Sequence, residues 1–366
     1  MRVTTAFLIT TFPLLVAALG FLTFVLPSRL GVRGKAVWSM VLLLGGAKFV
    51  VFEALGGSRF SPELPELLIW ALNFVNSLLY VLVALSLVWW TRHGRRVVLP
   101  TLAVALAAWG QWEGTKVPPV REVELAYANL PDELDGYRIL QISDIHCSSA
   151  ARGWRTRAVV AAANAAKADL ICLTGDYVDG KVADRERDMA PLGDLSARDG
   201  VWWVTGNHEF YLDGHRWEKW YRKRGFRFLV NESVRPQTRL LLAGVNDPAV
   251  EDFGGYGNAR PDVGAAFRGS RPGDFRILLA HRPLDFRENV WSHGVDLQLS
   301  GHTHGGIAPL IASVVARMNG GFVRGLYREG NSFLSVSPGT GIWAGFPMRF
   351  FNPSEITVFT LVRPSS

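Results

Sequence analysis

Cysteine is nearly absent: the 366 residues hold two, Cys147 and Cys172. Two thiols do not make a disulfide framework. Placed about seven residues out of step on neighbouring strands, at ~3.3 Å per residue, they lie roughly 20 Å apart, far beyond bridging reach. Acidic residues are scarce at the front of the chain. Residues 1–112 carry 9 Lys and Arg against 3 Asp and Glu, leaving 30 against 29 in the remainder. The formal charge of +7 therefore belongs to the front. The later part lacks the basic surface that a nucleic acid requires, so no nucleic-acid partner is expected. Internal repeats and low-complexity tracts are missing as well.

What the front has instead is apolar length. Four runs cover residues 3–26, 36–55, 67–90 and 97–112. The first three reach the ~20 residues that cross a bilayer, and the first is too long for a simple signal peptide and lacks a good cleavage site after it. The fourth, at ~24 Å as a helix, is short of a ~30 Å hydrocarbon core. Flanking arginines can snorkel at one end while Trp109 and Trp112 anchor the other. The expectation is a transmembrane region over 1–112 with about four helices, followed by one soluble domain over 113–366. Connections one (Arg29, Arg33, Lys35) and three (Arg92, Arg95, Arg96) are basic, which places them in the cytoplasm. Four crossings then put the soluble domain on the outer face of a bacterial plasma membrane; three would leave it cytoplasmic. Asn73, Asn76, Ser77 and Tyr80 share one helical face and read as a helix–helix packing stripe. Lys48 and Glu53, nearly 140° apart around a helix, are not expected to pair. Lys48 is expected to snorkel or to meet a neighbouring helix, with a lipid-phosphate contact as a further reading.

After Trp112 the pattern changes to short apolar runs closed by Gly, Asp or Asn: "YRILQIS", "ADLICLT", "GVWWVTG", "FRFLV", "RLLLAGV", "FRILLAH" and "VDLQLS". Helical stretches at 154–167, 214–224 and 283–292 fall between several of them. Such alternation indicates an α/β layered domain. "NSFLSVS" and "SEITVFT" have no helix between them, which suggests a second sheet at the C-terminal end.

Metal-binding residue types gather just past the ends of these runs: Asp144 and His146 in "ISDIH", Asp176 and Asp179 in "TGDYVDG", Asn207, His208 and Glu209 in "TGNHE", and His281 in "LLAH". His302 and His304 follow in "LSGHTHGG", where an extended backbone would point both imidazoles to one side. Strand ends are where ligands bind in open α/β sheets, so five separated segments can converge on one site.

The order D-x-H, G-D-x-x-D, G-N-H-E, a lone His and G-H-T-H resembles the calcineurin-like metallophosphoesterase superfamily. The G-H-T-H-G-G ending and the multi-span front resemble its bacterial membrane-bound branch. The resemblance implies a metallophosphoesterase-type β-sandwich flanked by helices, and two divalent metal ions drawn from Mn, Fe, Zn or Co. One ion would be held by Asp144, His146 and His304, and the other by Asn207, His281 and His302. Asp176 would bridge them and His208 would face the phosphate. Two cations ~3.5–4 Å apart can share a hydroxide and clamp a phosphorus centre. His208 then reads as a general acid or phosphate-orienting group. Asp179 and Glu209 are candidates to orient the histidines from behind, or else solvated surface groups. His93, His215 and His293 match no motif and are expected on loops or helix surfaces. The sequence departs from the pattern at Cys147, after "DIH", and at Ile307, after "HTHGG"; Ser148 and Ser149 could touch substrate or form a plain loop.

The late stretch "GIWAGFPMRFF" carries Trp343, Phe346, Met348, Phe350 and Phe351. It reads either as packing against the second sheet or as a rim admitting an acyl or prenyl chain, with Arg349 reaching a phosphate. The expected activity is hydrolysis of a phosphoester or pyrophosphate bond, with a membrane lipid or lipid-linked phosphate as partner substrate. The alternative is a catalytically inactive relative serving as a membrane sensor or scaffold.

Overall fold

The computed structural model describes residues 2–88, 98–306 and 308–364. The third connection with Arg92, His93, Arg95 and Arg96, the end of the third apolar run, and Ile307 lie outside the described residues. The chain divides into two compact units: Met1–Lys116 with Trp343–Arg349, and Val117–Ile342 with Phe350–Ser366. The division falls later than residue 112 because the fifth helix continues to Thr115.

The first unit contains α1 (Arg2–Gly20, followed by a π-turn Phe21–Val25), α2 (Val32–Gly46), α3 (Lys48–Gly56), α4 (Glu66–Val88) and α5 (Val98–Thr115). Four straight spans are not what forms. Among the described residues only α4, with 23 residues, combines the length and hydropathy needed to cross a bilayer. The second apolar run breaks at Ala47 into α2 and α3, bent by 63°, and counts only if the pair is one broken span. Glycine permits the close packing here. A Cβ on Gly45 would meet the Val75 carbonyl oxygen at 2.8 Å, and one on Gly46 the Pro13 carbonyl oxygen at 2.9 Å. Small residues let helix backbones approach in this way. Asn76 Nδ2 donates to the buried Gly45 carbonyl at 2.8 Å. Asn73, Asn76 and Ser77 are all buried, as a packing stripe requires.

Lys48 is buried at the break. Its Nζ donates to the carbonyls of Ala344 (3.1 Å) and Gly345 (3.4 Å) and lies 4.4 Å from the Phe49 ring centroid. Glu53 pairs with Arg59 instead. The segment Trp343–Arg349 is thus part of the helical unit. Trp343 faces Phe60 at 5.3 Å, Phe346 stacks on Tyr80 at 5.6 Å, and Arg349 N–H donates to Gly110 O. The Arg349 side chain is buried.

Among its described residues the second unit holds twelve strands: β1 (Val120–Ala126), β2 (Arg138–Ile142), β3 (Leu170–Leu173), β4 (Val201–Trp203), β5 (Arg227–Phe228), β6 (Glu232–Gln237), β7 (Leu240–Gly244), β8 (Phe275–Leu279), β9 (Leu297–Ser300), β10 (Gly325–Glu329), β11 (Ser332–Val336) and β12 (Ile356–Val362). They form two six-stranded sheets, in the orders β1-β12-β2-β3-β4-β5 and β10-β11-β9-β8-β7-β6. Inward residues of both sheets, among them Leu125, Ile139, Leu170, Leu240, Ile277, Leu297 and Phe359, share one apolar layer. Helix Gly153–Ala165 covers the outer face of the first sheet through Val159, Val160 and Ala163. The two late runs do not make a sheet of their own. Ser332–Val336 pairs with β9 in the second sheet, whereas Ile356–Val362 inserts between β1 and β2 in the first.

Candidate metal centre

Each group of candidate ligands follows a strand that has at least one parallel neighbour: Asp144 and His146 after β2, Asp176 after β3, Asn207 after β4, His281 after β8, and His302 and His304 after β9. The backbone turns sharply at these points. Asp144, His146, Asp176, His302 and His304 all have positive φ, between 47° and 71°. Left-handed backbone is uncommon for residues with a Cβ and persists where the surroundings over-determine it. Here neighbouring loops supply that constraint. Asp144 N–H donates to Gly175 O at 2.9 Å, His146 N–H to Asp176 O at 3.1 Å, and Gly341 N–H to Asp144 O at 2.8 Å. Glu209 accepts three further backbone N–H bonds, from Asp176 (2.8 Å), Tyr177 (2.7 Å) and Gly206 (2.7 Å). It is buried, not solvated.

His302 and His304 do not act as a pair on one side of a strand. β9 ends at Ser300, and the left-handed turns send the two rings to different groups. His304 joins Asp144 and His146, and His302 joins Asp176 and His281, each group with its ligand atoms within 4.8 Å of one another. His146 Nε2 lies 3.0 Å from His304 Nε2. Asp176 Oδ2 lies 3.2 Å from His281 Nε2 and 3.8 Å from His146 Nε2, so one carboxylate oxygen reaches into both groups. Asn207 Nδ2 donates to Tyr211 at 3.2 Å, while its Oδ1 is buried without a hydrogen-bond partner. An unsatisfied buried carbonyl oxygen is costly. Beside the two buried carboxylates Asp144 and Asp176 and four imidazoles it fits a cation ligand, and the donor set suits divalent transition metals.

Asp179 is buried and joins two histidines: Oδ2 meets His146 Nδ1 at 3.0 Å and Oδ1 meets His208 Nδ1 at 2.5 Å. Burial works against its charge, but the His208 and His146 charges and hydrogen bonds prevail and hold it well below the ordinary carboxylate range. Burial likewise opposes a charged His208, yet Asp176 and Asp179 overcome it and raise its pKa to about 9. Burial, then His281 and Arg282, push His302 well below the usual histidine value, leaving a neutral ring with a lone pair to give. Burial and the Asp176 charge lift Glu209 to about 7.

His215 is exposed on the helix Gly214–Lys223, and His293 is half-buried at the end of Phe286–His293. Ser148 and Ser149 are buried, and Cys147 and Cys172 are buried free thiols. Trp343, Phe346 and Arg349 belong to the helical unit, and the metal ligands belong to the other. Sequence reasoning missed several supports. Asn352 Nδ2 donates to His304 O at 2.6 Å, and a side chain on Gly305 would collide with that amide. Arg282 makes a two-point pair with buried Asp247, both contacts at 2.8 Å. Tyr211 lies 5.0 Å from the His208 ring. "HRP" and "NP" were the only local signals for Arg282 and Asn352.

Comparison with known proteins agrees with this geometry. Residues 137–306 match the family model described as calcineurin-like phosphoesterase. A zebrafish (Danio rerio) protein, "Transmembrane protein with metallophosphoesterase domain", is 32% identical over 280 residues, covering 73% of this chain and 63% of the relative. The chain therefore spans less than two thirds of that relative's length. An uncharacterized metallophosphoesterase of Helicobacter pylori (strain ATCC 700392 / 26695) is 30% identical over 347 residues, 89% of each chain. One from Aquifex aeolicus (strain VF5) is 31% identical over 261 residues, 71% of this chain and 97% of the relative. With the motif order, the two-sheet fold and these relatives in agreement, the chain belongs to the calcineurin-like phosphoesterase family.

Proposed function

We propose that this protein is a membrane-anchored, dinuclear-metal phosphoesterase that hydrolyses a phosphoester or pyrophosphate bond of a lipid-linked substrate. The observation that carries the reading is Asp176, whose Oδ2 faces both His281 and His146 and so belongs to both ligand groups. Asp144, His146 and His304 would hold one cation and Asn207, His281 and His302 the other, with Asp176 between them. Bound cations would supply Lewis-acid polarisation of the phosphoryl oxygens and of the attacking water. The chain's own residues supply the proton. Asp179 occupies His208 Nδ1, which fixes the tautomer and leaves Nε2 as the nitrogen that donates to a leaving oxygen. The Asp179 carboxylate beside Nδ1 favours the protonated ring.

The apolar α4 and the transmembrane name of the zebrafish relative support the anchor. The bacterial source of the relative matching 89% of each chain is the ground for reading that membrane as a bacterial one. The outer-face placement rests on the basic first connection and requires α5 to cross as well, although its 18 residues fall short of the hydropathy that marks α4 as a span. Labelling a cysteine at His215 in intact spheroplasts with an impermeant reagent tests this; protection until permeabilisation places the domain in the cytoplasm.

The activity test is hydrolysis by the purified full chain, metal-stripped or loaded with Mn, Fe, Zn or Co, across aryl phosphates, aryl phosphodiesters and lipid phosphates. Metal-dependent turnover with a lipid preference is expected. Equal rates in stripped and loaded protein would leave the inactive-scaffold alternative standing.

A further inference from the structure

The helix Pro309–Met318 follows the His302–His304 turn directly and reads "PLIASVVARM". None of its described side chains is buried. Ala312 takes the inner side, packed so tightly that a Cβ on Gly306 would meet its Cα at 2.7 Å. Ile311, Val314 and Met318 fall at i, i+3 and i+7, one face of a helix. They point outward, with Val314 53% and Met318 75% exposed.

The apolar surface continues beyond the helix. Thr303 Oγ1 donates to Val323 O at 2.6 Å, which ties the chain after the helix to the metal turn. From there Arg324 Nη1 donates to Phe351 O at 2.8 Å and to Asn352 Oδ1 at 3.1 Å. Asn352 in turn holds the His304 carbonyl. Phe351, 73% exposed, and Leu326, 44% exposed, therefore stand beside the same turn. Between His304 and Glu329 the chain has three charged residues, all arginines: Arg317, Arg324 and Arg328, each exposed. Water is a poor solvent for such a surface, and a soluble protein rarely leaves one uncovered. Apolar residues on one helical face with cations alongside are the pattern of a helix lying in a bilayer interface, where apolar groups reach ~5–10 Å into the acyl boundary and cations meet lipid phosphates.

We propose that Ile311, Val314, Met318, Leu326 and Phe351 form a membrane-seating surface that dips into an anionic lipid leaflet beside the metal centre. Arg317, Arg324 and Arg328 would contact the headgroup phosphates. The proposal deepens the lipid-substrate reading and rests on it: a lipid headgroup would reach the ligands without its acyl chains leaving the leaflet.

The test uses the full chain in nanodiscs of mixed phosphatidylcholine and phosphatidylglycerol. Single cysteines at Val314 and Met318, and a control at Ser292 on the exposed side of another helix, carry an environment-sensitive fluorophore. Native Cys147 and Cys172 are buried and stay unlabelled. Lipids brominated in the acyl chains should quench the labels at 314 and 318 at least twofold and spare the one at 292. Replacing phosphatidylglycerol with phosphatidylcholine should weaken that quenching. Quenching at 314 and 318 no greater than at 292 overturns the proposal, as does disulfide cross-linking of Met318→Cys between copies, which would make the face a dimer contact. Because quenching needs no turnover, an inactive protein that is quenched removes the catalytic reading and keeps this one.

Discussion

Lys48 and Ala344 stand 296 positions apart in sequence, and the lysine ammonium donates to the alanine carbonyl at 3.1 Å. The contact fastens a glycine- and aromatic-rich loop to the break between α2 and α3. Lys48→Met keeps the aliphatic stem and removes the donor, leaving two buried carbonyls short of a partner. A loss of about 1–3 kcal/mol is expected. Hydrogen exchange of 343–349 in detergent should speed up while exchange in β7–β9 stays unchanged.

Asp176→Ala should remove metal-dependent hydrolysis by about two orders of magnitude or more, since its carboxylate serves both ligand groups. Metal content measured after gel filtration should fall at both sites together. Loss of one ion only would show that the carboxylate belongs to a single group.

His208→Ala should separate binding from turnover. Metal content stays near that of the parent, because the ring is tied to Asp179 and belongs to neither proposed ligand set, while kcat falls about 100-fold or more. Asp179→Asn should cost about 10–100-fold in activity or metal affinity, because it frees two histidine rings at once.

The ligand order was legible in the sequence because each ligand follows a short apolar run, β3 and β9 being buried throughout, and such runs stand out. The strands that escaped notice are β1, β6 and β10. "VREVELA" and "GLYRE" alternate with exposed charge at sheet edges, and "ESVRPQ" contains a proline. The directions of His302 and His304 were misread because strand alternation stops at Ser300, and neither left-handed turn has a signature beyond its glycines. The Gly45–Gly46 pair was the sole local warning of the helix break. Nothing within "WAGFPMR" indicates that Lys48 awaits it.

Asp296 gives a pH test away from the metals. Burial raises its pKa from 3.8 to about 6, against the opposing Arg276 backbone hydrogen bond and charge. Its folded value exceeds its unfolded one, so charging it costs stability as pH rises from about 4 to 6, and the cost is complete above that. Asp296→Asn keeps an acceptor for Arg276 N–H and should stabilise by roughly 1–3 kcal/mol at pH 7. The gain should vanish below about pH 4 in thermal melts of parent and variant. A gain independent of pH would point to packing instead.

β1 and β2 are neighbours in sequence, and β12 fills the gap between them. A ribosome therefore delivers β1 and β2 early, and the strand that joins them emerges last of the twelve. Until it arrives, the first sheet lacks the support behind Asp144 and His146, and Gly341, which bonds Asp144, has only just been made. Asp144 therefore gains its full set of backbone bonds only late in synthesis, and a nascent chain carries an open seam in its first sheet.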